Sequence, residues 1–189
     1  MEELRSNIVA YHVNDYERCK KYIEDSEYLI LSEDTKWLGY GMYFWDNDSN
    51  ADYWVKQKKR KDLKKKDIAK TKSNIYIDKM LDFTDENHRR MFHSLWERYK
   101  ELEEIDEDEE LLGIKVDKLF DYFPILRENF FVIRVYGNYK YTPKDELIVY
   151  DLKKAECEPI THVKTIYSVK NNEFACCRQI MEVIKNEWF

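Results

Sequence analysis

The sequence predicts an α+β protein from three observations. Helix-like repeats fill the middle of the chain, while residues 130–136 and 146–150 alternate as strands about a Gly137-Asn138 turn, so helices and hairpins are segregated. Its 189 residues match one compact domain able to bury a core. With 15% aromatic residues but only 4 Gly and 3 Pro, it is not a disordered, collagenous or low-complexity chain. A single domain over 1–189 is expected, with a charged helical insertion at about 56–115.

In order, residues 7–11 read as a short strand. Residues 15–25 read as a helix behind an Asn14 or Asp15 cap, with Tyr16, Cys19, Lys20 and Ile23 at helical spacing. Another short strand is expected at 28–31. Gly39-Tyr40-Gly41 then interrupts the pattern before the aromatic run Met42-Tyr43-Phe44-Trp45, and its glycines let the backbone approach a neighbour closely. Ser49 or Asn50 caps a helix that starts near Ala51 and carries a basic run.

Residues 75–83 alternate as a strand, Ile75 and Ile77 against Tyr76 and Asp78. Thr84 or Asp85 caps a helix to about Glu104, with Met91, Leu95, Trp96 and Tyr99 as its buried stripe. A short helix at 117–123 stops at Pro124, and β segments follow at 130–136, 146–150 and 160–169. Over 172–188 the apolar residues Phe174, Cys177, Ile180, Met181, Ile184 and Trp188 fall on one side of a helix, expected to pack on the core.

The formal charge of −6 hides a segregation. Residues 56–72 are crowded with Lys and Arg, and residues 101–110 are almost entirely Glu and Asp. Either run reads as a solvated face; the basic one is also a candidate surface for nucleic acid. No stretch of about 18 apolar residues occurs and the first residues are charged, so the expectation is a soluble cytoplasmic protein without membrane contact. Cys19, Cys157, Cys176 and Cys177 form no CxxC pair, and no metal site or disulfide framework is expected.

Three separated segments carry the chemistry: Val9-Ala10-Tyr11-His12-Val13-Asn14; Gly39-Tyr40-Gly41-Met42-Tyr43-Phe44 with Ala51-Asp52-Tyr53; and Asp145-Glu146-Leu147-Ile148-Val149-Tyr150, with Pro159 downstream. In order and type they resemble the signatures of the ADP-ribosyltransferase superfamily, in its His-Tyr-Glu branch, which contains the poly(ADP-ribose) polymerases and diphtheria toxin. The third segment is the most specific match. Val13 and Asn14 depart from the pattern, standing where the family usually has Gly and Ser or Thr.

The resemblance implies a split antiparallel β-sheet core with an NAD cleft and helices packed outside. It also implies roles. Glu146 would bind the 2′-hydroxyl of the nicotinamide ribose, and its carboxylate suits the oxocarbenium-like transition state of nicotinamide cleavage. His12 would bind the adenosine-side ribose, Tyr43 and Tyr53 would sandwich the nicotinamide, and the Val13 backbone would pair with its carboxamide. Asn14 and Phe44 complete the NAD-binding set.

The implied activity is NAD-dependent mono-ADP-ribosylation of a protein or nucleic acid, with NAD as substrate and no metal. Alternatives are an NAD glycohydrolase, or a non-catalytic module holding NAD, ADP-ribose or nucleic acid. By analogy with small members of the family, the expected setting is an intracellular toxin or phage-defence effector, possessing a cognate antitoxin or inhibitor.

Overall fold

The structure, a computed structural model, describes residues 5–61, 66–106, 109, 111–137 and 163–185. It is α+β. Strand β1 (Asn7–Asp15) leads directly into helix α1 (Tyr16–Glu24), and β2 (Met42–Trp45) is followed by α2 (Asp48–Lys61). Then come β3 (Ile68–Tyr76), β4 (Met80–Asp82), α3 (Glu86–Leu102), α4 (Leu112–Tyr122) and α5 (Pro124–Asn129). Strands β5 (Val132–Gly137), β6 (Lys164–Val169) and β7 (Ala175–Ile184) complete the described elements.

The strands form one sheet in the order β4-β5-β6-β2-β1-β3-β7, antiparallel except for the β4–β5 pair. β1 pairs with β3 along its length, from Asn7 opposite Tyr76 to Asp15 opposite Ile68. To β2 it is joined through a single pair, Tyr11 opposite Trp45. Where the resemblance implies a split antiparallel core, the described strands form one sheet of two halves, joined at that pair. Beyond Tyr11 the two strands part, and a gap opens between them.

Strand alternation sends side chains into cores on both faces. Ala10, Phe44, Met42 and Ile75 meet Cys19 and Tyr22 of α1 on one face. Val13, Trp45, Ile68 and Ile166 meet α2 to α5 on the other, around Trp96 and Phe120. The α3 start follows its sequence signal, since the Asp85 carboxylate accepts from the Asn87 and His88 backbone N–H groups. Asp15 precedes α1 as anticipated, yet its side chain makes no cap bond and is drawn to Lys58 and Lys66 instead.

Several expectations are corrected. The described part of the expected 172–188 helix, up to residue 185, is not helical: after a 3₁₀ turn at Asn172–Phe174 the chain runs as β7 along β3, Ile184 opposite Ile68 and Ala175 opposite Ile75, with two shifts of register. A helix here would pair its own backbone but leave the edge groups of β3 unpaired, whereas a strand pairs both, and Ile180, Val183 and Ile184 are β-branched residues suited to it. Residues 28–31 form no ladder; only Ser32 bridges Gly41.

The segment 75–83 is two strands rather than one, because β3 starts at Ile68 and ends at Tyr76. The charged stretch 56–115 is accordingly no helical insertion: β3 lies inside the sheet. Pro124 does not merely end α4 but opens α5 as its first residue. The 117–123 helix starts earlier, at Leu112.

The basic run is dispersed by the fold. Buried Lys70 binds Asp48 and Asp52 of α2 at 2.7 and 2.8 Å and approaches Glu182 of β7 at 3.6 Å, fastening α2 to the sheet. Among the described residues no helix is long and apolar enough to cross a membrane.

Candidate functional site

A cavity of about 240 Å³ occupies the gap where β1 and β2 part. His12, Val13, Asn14 and Tyr43, from two of the three sequence segments, all line it. The third segment, with Glu146, lies outside the described residues. Phe44 and Tyr53 are not in the lining. Phe44 points to the opposite face by strand alternation, where its ring backs His12 at 5.7 Å between centroids.

Tyr53 faces outward, 37% exposed. Its neighbour Trp54 takes the cavity side, together with Lys58 one turn later, since successive helical residues differ by about 100°. Trp54 lies nearly parallel to Trp45, ring centroids 5.6 Å apart at 29°. With Trp37 and Tyr43 these rings make the cavity lining largely aromatic. The indole N–H of Trp54 is buried without a hydrogen-bond partner among the described residues. The sequence segment singled out Tyr53 and not Trp54, and only the rotation of α2 shows which of the two faces the cavity.

His12 has its protons assigned by its neighbours. A carbonyl can only accept, so Nδ1–H donates to the Tyr43 backbone oxygen at 2.6 Å. Nε2 is then an acceptor, taken by Asn14 Nδ2–H at 3.2 Å. Asn14 Oδ1 in turn accepts from Lys58 Nζ at 2.6 Å and from the Asp15 backbone N–H at 2.9 Å. One chain of donors thus runs from Lys58 to Tyr43 and ties β1 to β2 across the gap.

Burial drives the His12 pKa down to about 4 despite the Tyr43 carbonyl, and Lys58 and Arg18 lower it further, so the ring is neutral. The unfolded ring titrates near 6.5, and the folded chain therefore binds fewer protons between about pH 6.5 and 4. Stability present above pH 6.5 is lost as the pH falls through that window, by up to about 3 kcal/mol. His12→Gln is expected to flatten the dependence of urea-unfolding free energy on pH by that amount. Parallel curves for variant and wild type would show that His12 is not the titrating group.

Tyr43 is held through its hydroxyl, which donates to the Gly39 carbonyl at 2.7 Å and accepts from Leu38 N–H at 3.0 Å. Burial pushes the phenol pKa up, so it stays protonated. The glycines around it do permit close approach. Gly39 has φ +66°, and a Cβ there would meet Asp117 Oδ1 at 2.1 Å, while one on Gly41 would meet Ser168 Oγ at 2.2 Å. Asp117 also accepts from Tyr40 N–H at 2.8 Å. Gly39→Ala is expected to cost about 2 kcal/mol from the left-handed backbone and the clash together, read as a lower urea midpoint. An unchanged midpoint would mean that this loop re-forms elsewhere.

The site thus joins a neutral histidine, a protonated tyrosine, an aromatic wall and two cations, Arg18 and Lys58, with Asp34 as a lining carboxylate. Such a cavity suits a flat ring carrying hydroxyl and anionic groups. Its volume lies below the roughly 300–1,000 Å³ of most small-molecule pockets, so a dinucleotide would extend beyond it.

No family model matches the sequence, and no solved structure matches it. The chain is 30% identical over 93 residues to an uncharacterized protein of Methanocaldococcus jannaschii, a similarity covering 47% of this chain and 43% of that protein. The chain thus spans less than half the length of that relative.

Proposed function

We propose that this protein is an NAD-dependent ADP-ribosyltransferase that transfers ADP-ribose to a macromolecular acceptor. The observation that carries the reading is the convergence of His12, Asn14 and Tyr43 on one cavity at the parting of β1 and β2, although His12 and Tyr43 are 31 residues apart. On this reading Tyr43 and the Trp45–Trp54 pair hold the nicotinamide ring, with Trp54 in the part that the resemblance gives to Tyr53. His12 Nε2 receives a ribose hydroxyl in exchange for the Asn14 amide.

The bond between the ribose carbon and the pyridinium nitrogen breaks with its electron pair passing to nitrogen, which releases neutral nicotinamide. Glu146 supplies the negative charge that stabilises the oxocarbenium-like sugar. The acceptor's nucleophile then bonds the same carbon and gives up its proton.

The experiment is nicotinamide release from NAD by the purified protein, with and without cell lysate, compared with Glu146→Gln. Release that depends on Glu146 and rises with lysate is expected. Release indifferent to lysate makes the protein a glycohydrolase, and NAD binding without release makes it a non-catalytic binder. No NAD binding ends the reading.

A further inference from the structure

The cavity has an electropositive end that the three sequence segments do not include. Lys58 reaches it from α2 and Arg18 from the first turn of α1, so two separate elements bring cations to one lining. Lys58 is only partly neutralised, because its carboxylate partner Asp15 is shared: Oδ1 lies 3.2 Å from Lys58 Nζ and Oδ2 3.3 Å from Lys66 Nζ. Arg18 has no carboxylate partner among the described residues, and one long bond of 3.4 Å to the Leu31 carbonyl restrains it.

The lining carboxylate Asp34 is engaged with its own turn, accepting from the Lys36 and Trp37 backbone N–H groups at 2.9 and 3.2 Å. The positive field reaches inward, for Lys58 and Arg18 both disfavour the protonated form of His12. A site holding an excess of positive charge beside an aromatic wall recognises an anion attached to a flat ring. Arg18 offers the planar fork that matches two phosphate oxygens, and Lys58 a point charge beside it.

We propose that Arg18 and Lys58 form a diphosphate subsite, binding the phosphates of a nucleotide whose flat ring lies against the tryptophans of the same cavity. The inference rests on the transferase reading only for the identity of the natural nucleotide. On binding, the phosphates replace Asn14 and Asp15 as the acceptors of Lys58, and Arg18 exchanges its weak bond to Leu31 for a phosphate. Lys58 thereby leaves the solvated basic face that its sequence context implied and becomes a ligand-binding residue.

Trp37, Trp45 and Trp54 line the cavity and make intrinsic fluorescence a direct readout. ADP is expected to quench it saturably and inorganic pyrophosphate to displace ADP, while adenosine binds at least tenfold more weakly than ADP. Arg18→Ala and Lys58→Gln are each expected to weaken ADP about tenfold and to leave adenosine unchanged. Lys58→Gln retains an amide donor for Asn14, which guards against misfolding, and circular dichroism checks both variants. Lys20→Ala, an equal loss of charge on the exposed part of α1, serves as the control and leaves ADP binding unchanged.

The proposal is overturned if ADP binds no tighter than adenosine, if neither ADP nor pyrophosphate binds, or if both variants bind ADP like the wild type. Displacement by a single-stranded oligonucleotide alone would equally overturn it, and would assign the cations to a polynucleotide. ADP binding that depends on Arg18 and Lys58 without any nicotinamide release leaves the subsite standing and removes the transferase. Nicotinamide release with an unaltered KM for NAD in both variants does the reverse.

Discussion

In Glu146→Gln, nicotinamide release from NAD is expected to fall about 100- to 1,000-fold, the usual loss when one preorganised electrostatic stabiliser of a transition state is removed. The substitution preserves shape, removes the charge and turns one of the two acceptor oxygens into an amide donor. An oxocarbenium-like sugar carries positive charge that the bound, ground-state NAD does not yet concentrate on its ribose carbon, so under the proposed function the carboxylate acts mainly in the transition state. The loss should accordingly appear in kcat and in kcat/KM alike, with NAD still quenching the cavity tryptophans. A rise in KM with kcat unchanged would make Glu146 a binding group, and equal rates would remove it from the reaction.

Arg178→Ala is expected to destabilise the fold by about 4 kcal/mol, more than any surface substitution, because hydrogen bonds from a charged donor contribute about 1.5–3 kcal/mol each and do not add fully. From β7 the guanidinium reaches the carbonyls of Tyr22, Asp25 and Tyr28 through Nη1 at 3.0, 2.9 and 3.1 Å. Through Nη2 it reaches Ser26 and Asn172, and through Nε Ala175. A guanidinium has only five N–H groups, so these six acceptors share at least one of them.

The same group lies 4.3 Å above the Tyr22 ring. It satisfies carbonyls at the end of α1, where a cation also meets the favourable end of the helix dipole. For a chain of this size the loss corresponds to roughly 10 °C in Tm. Arg178→Lys keeps the charge but not the fork, and should recover less than half of the loss. Calorimetry of both variants checks this; a shift within 2 °C for Arg178→Ala, about what a ~0.5 kcal/mol surface change produces, would show that the α1 end is held by other contacts.

What the sequence determined by itself was local. Periodicity and caps marked β1, α1 and the Asp85-capped α3, and the α+β class followed from their segregation. His12, Val13, Asn14 and Tyr43 were singled out by the resemblance of their segments to a known family, and all four line one cavity. The glycines at 39 and 41 announced a close approach, and the contacts with Asp117 and Ser168 supply it. Glu146 was singled out in the same way, lies outside the described residues, and has its role only within the proposed function.

Tertiary structure alone decided the rest. The spacing of Cys177, Ile180, Met181 and Ile184 fits a helix, but whether an edge strand waits to be paired depends on β3, about a hundred residues away in the chain. Ladder bonds to that edge outweigh a preference worth only tenths of a kcal/mol per residue. Likewise, periodicity states which residues of α2 share a face but not which face turns to the cavity. The ion pairs of Lys70 with Asp48 and Asp52 hold that helix against the sheet, and its rotation puts Trp54 and Lys58 in the site and Tyr53 outside it. Contacts between distant segments are set by the packing of whole elements, which no local pattern encodes.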